Sequence, residues 1–200
     1  MKLGILVFDD MELLDMAGPY EVFTTAARVH ARRQAAGADP LFTVTTVARS
    51  REPVRARAGL QVTPDTAFGE HPAFDCTVVP GGVVDGELER PEALAWIAAQ
   101  RKSTRVLASV CTGALLLAQA GVLDGLAATT HWEDLDALRS LRPAVRVQEG
   151  VRWVDEGAVV TSAGISAGID MCLHLVRRLH SQELARLTAR QMDYDWKEQA

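Results

Sequence analysis

The 200-residue chain is 48% apolar and 24% charged, enough to bury a full core as one domain. Its 21 Lys+Arg are scattered among 26 Asp+Glu for a net charge of −5, which excludes the basic footprint of a nucleic-acid binder. Three cysteines at unrelated spacings fit a reducing cytosol better than a disulfide framework, and no stretch approaches the ~20 apolar residues of a membrane span.

Strand and helix patterns then alternate. Residues 3–8 read as a buried strand, too short for a signal-peptide core and turning acidic at Asp9-Asp10. A helix is expected over 20–34, with Gly18-Pro19 at its entrance. Residues 41–47 form a second strand, and 53–57 with 60–63 flank Gly59 as a hairpin. A third core strand over 74–79 is halted by Pro80-Gly81-Gly82. An amphipathic helix over 91–102 turns Leu94 and Ile97 inward. The run 106–108 leads through Ser109-Val110-Cys111-Thr112-Gly113 into a helix over 114–120 that Gly121 ends. Beyond it come a short strand at 127–130, a helix over 132–141 stopped by Pro143, and short strands at 145–147, 151–154 and 158–161. A last helix spans 166–179, with Ile169, Leu173 and Val176 at core spacing and Arg177-Arg178 as cations near its negative end. Residues 192–196 read as a docking tail or a frayed terminus. The alternation implies one α/β domain, residues 1–200, around a mostly parallel sheet. Soluble and cytoplasmic is the expected setting.

Cys111 is the most informative residue. A cysteine at a sharp strand-to-helix turn, with small residues two before and two after it, has the pattern of a nucleophile elbow. That turn would lift Sγ clear of the sheet and aim it at the positive end of the next helix, favouring thiolate over thiol. The other reading is a buried crossover cysteine, since free cysteine is among the most buried residue types. In open α/β sheets ligands bind beyond the carboxyl ends of strands, and three marked loops lie at such ends: 11–19, 80–82 and the Cys111 turn. Their convergence would supply a nucleophile in Cys111 and oxyanion-type donors in the backbone N–H groups of Thr112 and the Gly81-Gly82 turn. A Gly-Gly pair after a strand is also an ordinary turn. Asp15 reads as a helix cap or as an acid or base leaning into the crevice. Cys76, in an apolar strand, and Cys172, beside Met171 and Leu173, read as core. The five histidines show no ligand spacing with cysteines or acids, so no metal site is expected.

Five motifs carry a family resemblance: Leu14-Asp15-Met16-Ala17-Gly18-Pro19, Val79-Pro80-Gly81-Gly82, Val110-Cys111-Thr112-Gly113, Thr129-Thr130-His131-Trp132, and the run from Thr161 to Asp170. In this order they resemble the DJ-1/PfpI superfamily, most of all its isonitrile hydratase branch and the amidotransferase-like domains of AraC-type regulators. The resemblance implies a flavodoxin-like, class I glutamine amidotransferase-like sandwich. It makes Cys111 the nucleophile, Asp15 its acidic partner, and Thr112 the threonine that follows the nucleophile in isonitrile hydratases. Gly82 and His131 become candidate oxyanion or substrate-binding residues, although a histidine beside a tryptophan is as often a packing residue. Peptidase-like members place histidine directly after the cysteine, and Thr112 stands there here, which weakens a protease reading.

The implied reaction adds water to an isonitrile through a thioimidate on Cys111, with Asp15 as general acid and base, and requires no cofactor. A carboxyl beside a thiol implies coupled titrations. The partners expected are a small-molecule substrate and a second copy of the chain in a homodimer, with neither nucleic acid nor membrane. A DNA-binding regulator is disfavoured, because the chain stops at Ala200 and lacks a basic surface. A cysteine-based redox sensor or protective protein, and a glyoxalase-like enzyme, are the alternatives.

Overall fold

The computed structural model describes residues 1–34 and 37–199. A seven-stranded sheet is built from β1 (Lys2–Leu6), β2 (Thr43–Ala48), β5 (Thr66–Ala67), β6 (Cys76–Val79), β7 (Val106–Val110), β10 (Trp153–Asp155) and β11 (Val159–Ser162), in the order β10-β11-β7-β6-β1-β2-β5. All its pairs are parallel except β10–β11, the hairpin that turns at Asp155-Glu156-Gly157. The central strands read as continuous apolar runs because both faces are covered, and β7 is buried at every position. The expected hairpin around Gly59 is present as β3 (Val54–Arg55) paired antiparallel with β4 (Gln61–Val62). Two further short strands, β8 (Ala127–Ala128) and β9 (Arg146–Val147), pair in parallel.

Around the sheet lie α1 (Leu13–Ala31), α2 (Asp85–Leu88), α3 (Pro91–Ser103), α4 (Gly113–Gln119), α5 (Leu135–Leu141), α6 (Ala167–Leu179) and α7 (Gln182–Gln191). Helix α1 starts seven residues before the expected position, so Gly18-Pro19 lies inside it rather than at its entrance. Pro19 removes one donor and glycine weakens a helix, yet packing overrides both. A side chain at position 18 would crowd Ile169 of α6, so Gly18 lets the two helices approach. Helix α7, which periodicity did not single out, buries Leu184, Ala185, Thr188 and Ala189 and is capped by the Ser181 hydroxyl. The 192–196 segment docks instead of fraying: Trp196 Nε1 donates to the Asp170 carbonyl at 3.2 Å. Arg178 does more than face a helix end, since it pairs with Asp155 at 2.6 Å and donates to the Gly157 carbonyl. Among the described residues no helix is long and apolar enough to cross a membrane.

Cys76 and Cys172 lie inside the core at 1% and 0% exposure, as their apolar surroundings implied. Burial raises both thiols, Cys76 to about 12, so neither is a ready nucleophile. Cys76→Ala and Cys172→Ala are each expected to lower stability by ~1–3 kcal/mol through the lost contacts. Urea midpoints equal to wild type would show that those sites close without loss.

Candidate active site

Three strand ends meet as the topology implied. Met11 and Gly82 form an isolated antiparallel bridge, the Glu12 N–H donates to the Gly81 carbonyl at 2.8 Å, and the Val83 N–H donates to the Asp10 carbonyl at 3.0 Å. The Cys111 turn closes on the same point. Side chains at Gly81 and Gly113 would collide with the backbones of Thr112 and of Val79-Pro80, and one at Gly82 with that of 10–12. Backbone-to-backbone contact is what these glycines supply.

Cys111 has φ 57°, the left-handed conformation a nucleophile elbow requires and a rare one for a non-glycine residue. Its backbone is held on both sides. The Cys111 N–H is shared between the Ser162 and Ala163 carbonyls at 3.2 and 3.3 Å, and the Thr130 hydroxyl donates to the Cys111 carbonyl at 2.9 Å. Thr112 clamps the neighbouring loop: its hydroxyl donates to the Gly82 carbonyl and accepts from the Gly82 N–H, both at 2.8 Å.

Asp15 lies in the first turn of α1, wholly buried, and it does not cap its own helix. Its Oδ2 accepts from the Gly81 N–H at 3.1 Å, whereas Oδ1 is buried without a partner of hydrogen-bond geometry. Burial pushes this carboxyl up to about 7 against the pull of the Gly81 N–H; the charge of Glu12 adds to the rise, and the adjacent Cys111 thiol opposes it by offering a proton. The thiol moves the other way from expectation. Burial, and then the charge of Asp15, push Cys111 up to about 12, while the N–H groups of Thr112 and Ile165 and the Thr112 hydroxyl pull it down. The anticipated thiolate is overruled because Sγ stands in a residue only 6% exposed, beside a carboxyl, on a helix of just seven residues. The resting pair therefore holds its proton on sulfur above neutral pH and a second one on Asp15 below it.

The oxyanion assignment changes in part. Thr112 keeps an N–H facing Sγ, but the Gly81 and Gly82 N–H groups are bound to Asp15 and Thr112, which makes this turn a scaffold. The second N–H facing Sγ belongs to Ile165, which sequence reasoning passed over. Ile165 has φ 45° and is 38% exposed, an outlier for a β-branched residue; the small residues Ser162-Ala163-Gly164 before it were the available signal. His131 packs its ring on Gly164, and its Nδ1 accepts from the Glu133 N–H at 3.4 Å, so it caps the 3₁₀ turn Trp132–Asp134 while facing the cavity.

The cavity above Cys111 measures about 470 Å³. Cys111, Thr112 and Leu115 form its floor; Val84 and Leu88 of the α2 region, and Ala137 and Leu141 of α5, give it apolar walls. Asp15 does not line it and reaches the chemistry only through the sulfur side.

The DJ-1/PfpI family pattern matches residues 1–178. The chain belongs to the DJ-1/PfpI family. It is 36% identical over 195 residues to the isonitrile hydratase of Pseudomonas putida, across 97% of this chain and 78% of that protein. It is also 33% identical over 194 residues to the HTH-type transcriptional regulator GbdR of Pseudomonas aeruginosa, across 97% of this chain but 51% of the regulator. A solved THiJ/PfpI family protein from Pseudomonas syringae superposes with a TM-score of 0.84 at 32% identity, over 97% of this chain and 75% of that one. Membership in the DJ-1/PfpI family accounts for the α/β sandwich, while relatives with different roles share the same fold.

The Asp15 carboxyl carries a signature in stability. Its proton affinity is raised from 3.8 to about 7 in the folded chain, so the folded state keeps a proton that the unfolded chain releases. The associated stability is complete below pH ~4 and is lost as pH rises through about 7. Asp15→Asn, which can still accept from the Gly81 N–H, escapes this loss. Between pH 4 and 8 the variant should gain on wild type by on the order of 2–4 kcal/mol in urea unfolding. Parallel pH profiles for the two proteins would contradict it.

Proposed function

We propose that the protein is an isonitrile hydratase-like enzyme that converts an isonitrile and water to an N-substituted formamide, with Cys111 as nucleophile and Asp15 as the proton carrier. The observation that carries this reading is the buried Asp15–Cys111 pair at the end of a cavity lined by both apolar and charged residues. The similarity to the Pseudomonas putida isonitrile hydratase supports it.

The chemistry follows from where the protons rest. Asp15, as carboxylate, takes the Cys111 proton while Sγ forms a bond to the terminal isonitrile carbon. That proton is passed to the same carbon, giving an S-linked thioimidate. A water entering through the cavity then adds to the thioimidate carbon and gives up a proton to Asp15. The C–S bond breaks, sulfur recovers the proton, and the product tautomerises to the formamide. One water is consumed and both residues return to their starting state. The N–H groups of Thr112 and Ile165, which face Sγ, are placed to offset charge developing beside it. No cofactor is needed for these steps.

The redox-sensor reading asks for a thiol of lowered proton affinity, whereas burial and the charge of Asp15 raise that of Cys111. A ligand-sensing role is favoured by one observation, the 33% identity to GbdR over 97% of this chain. In that role the cavity binds and does not turn over. The glyoxalase-like alternative uses the same nucleophile, and methylglyoxal is its discriminating substrate.

Isonitrile consumption by purified protein tests the proposal. Cys111→Ala is expected to abolish it with the fold intact. Asp15→Asn is expected to lower it by a factor on the order of 10²–10⁴, the usual worth of general acid–base catalysis. The same variant removes the charge that raises the thiol, so its Cys111 should react with peroxide at least as fast as wild type. Wild-type hydration by Asp15→Asn would remove Asp15 from the mechanism, and hydration by Cys111→Ala would remove the covalent path. The expected assembly is a two-fold dimer, which a monomeric mass in light scattering at micromolar concentration would exclude.

A further inference from the structure

The charges around the cavity are one-sided. Four carboxylates line it, Glu12, Asp85, Glu133 and Asp134, against a single guanidinium, Arg57. Arg57 is already associated with Glu12, Nη1 to Oε2 at 3.9 Å, and its side chain is 62% exposed. Among the described residues, Asp85, Glu133 and Asp134 have no Lys or Arg at ion-pairing distance; Glu133 and Asp134 approach only His131 Nδ1, at 3.6 and 3.5 Å. Asp85 and Glu133 are exposed and Asp134 is half-buried, so these acids line the solvent-facing part of the cavity beside its apolar residues. Asp85 stands in α2 near Val84 and Leu88, while Glu133 and Asp134 lead into α5 near Ala137 and Leu141, and both helices pack on α4 behind the nucleophile. The space ends on the nucleophile Cys111, and Asp15 lies behind it, buried and outside the cavity lining.

We infer that this cavity selects an isonitrile whose N-substituent is a short apolar chain ending in a cationic group, and rejects one that carries a carboxylate. The inference rests on the hydratase reading for the reacting group alone. The apolar stem lies along Val84, Leu88, Ala137 and Leu141, and the cation is met by Asp85, Glu133 and Asp134. An anionic end would meet three carboxylates without a Lys or Arg partner on the solvent-facing side of the cavity, and their summed field opposes its entry. Such repulsion discriminates more sharply than added attraction does. Glu12 contributes less than the other three, because Arg57 offsets it.

Charged methanethiosulfonate reagents test the selection without any turnover. Each transfers its RS group to Cys111 as a mixed disulfide, with methanesulfinate leaving. The trimethylammonium-ethyl and sulfonato-ethyl reagents are compared, each rate divided by its rate on free 2-mercaptoethanol, with Cys111→Ala as the background. The cationic reagent is expected to be favoured by a factor on the order of 10–10³ at low ionic strength. The preference should shrink in 0.5 M salt and fall at least fivefold in the Asp85→Asn, Glu133→Gln, Asp134→Asn triple variant. Equal normalised rates, or a preference unchanged in the triple variant, overturn the inference.

A second arm compares kcat/KM for alkyl isonitriles ending in trimethylammonium, methyl and carboxylate. The order cationic, neutral, anionic supports the inference, and an anionic substrate as good as the cationic one overturns it. Were none of the three hydrated, the hydratase reading would fall, while the thiosulfonate ratio would still decide the charge preference of the cavity.

Discussion

The structure depends on one tight crossing, where the backbone of the Cys111 turn meets that of the Pro80-Gly81-Gly82 loop. A non-glycine residue held at positive φ costs on the order of 1–3 kcal/mol and persists only where its surroundings over-determine it. Here they do. The Ser162 and Ala163 carbonyls take the Cys111 N–H, the Thr130 hydroxyl takes its carbonyl, and Gly113 admits Val79-Pro80 against the start of α4. The candidate site hangs on that contact. Gly81 reaches Asp15 only because the loop lies this close, and Thr112 joins the loop to the elbow through both the N–H and the carbonyl of Gly82.

The same crossing explains an electrostatic choice. Bringing the elbow down onto the loop buries the sulfur and the carboxyl together, and burial disfavours charge on each. A standing thiolate would need to overcome both the burial of the sulfur and the charge of Asp15 beside it. What the site provides is a carboxyl poised near neutrality beside a thiol pushed up to about 12, so the resting proton stays on sulfur. The arrangement suits a reaction in which sulfur attacks and departs within one cycle. It suits peroxide sensing poorly, because oxidation needs the thiolate to be present beforehand.

Much of this was legible in the residues. Short apolar, β-branched runs located the core strands, and small residues flanking Cys111 marked the elbow. The topology rule for strand ends brought three distant loops to one place, and the Met11–Gly82 bridge is that meeting. What stayed hidden depends on tertiary contact. Gly18-Pro19 has the local chemistry of a helix entrance, and only packing against Ile169 explains why α1 runs through it. The direction of the Cys111 shift could not be read from a helix dipole, because the opposing burial is a property of the closed crossing. Ile165 itself argues against positive φ, being β-branched, and only the small residues Ser162-Ala163-Gly164 before it hint at the turn. The Gly81 and Gly82 N–H groups looked free in sequence because their acceptors, Asp15 and Thr112, lie far away along the chain.

A sheet, a cavity and an elbow serve a sensor as well as an enzyme, so the fold does not separate the two roles. The distinguishing feature is the part that burdens stability. A pocket that only binds has no use for an ionisable carboxyl sealed under a thiol with one oxygen unpaired, and an asparagine there would still accept from Gly81. Strongly shifted groups held against the interest of the fold concentrate where proton transfer is the task. The acids along the cavity follow the same logic at longer range. Among the described residues, Asp85, Glu133 and Asp134 have no arginine or lysine partner around a space that ends on the nucleophile, so the field they create acts on whatever enters. In the proposed function the buried carboxyl and the cavity carboxylates divide the work, the first holding a proton for chemistry and the others sorting molecules by charge before they reach it.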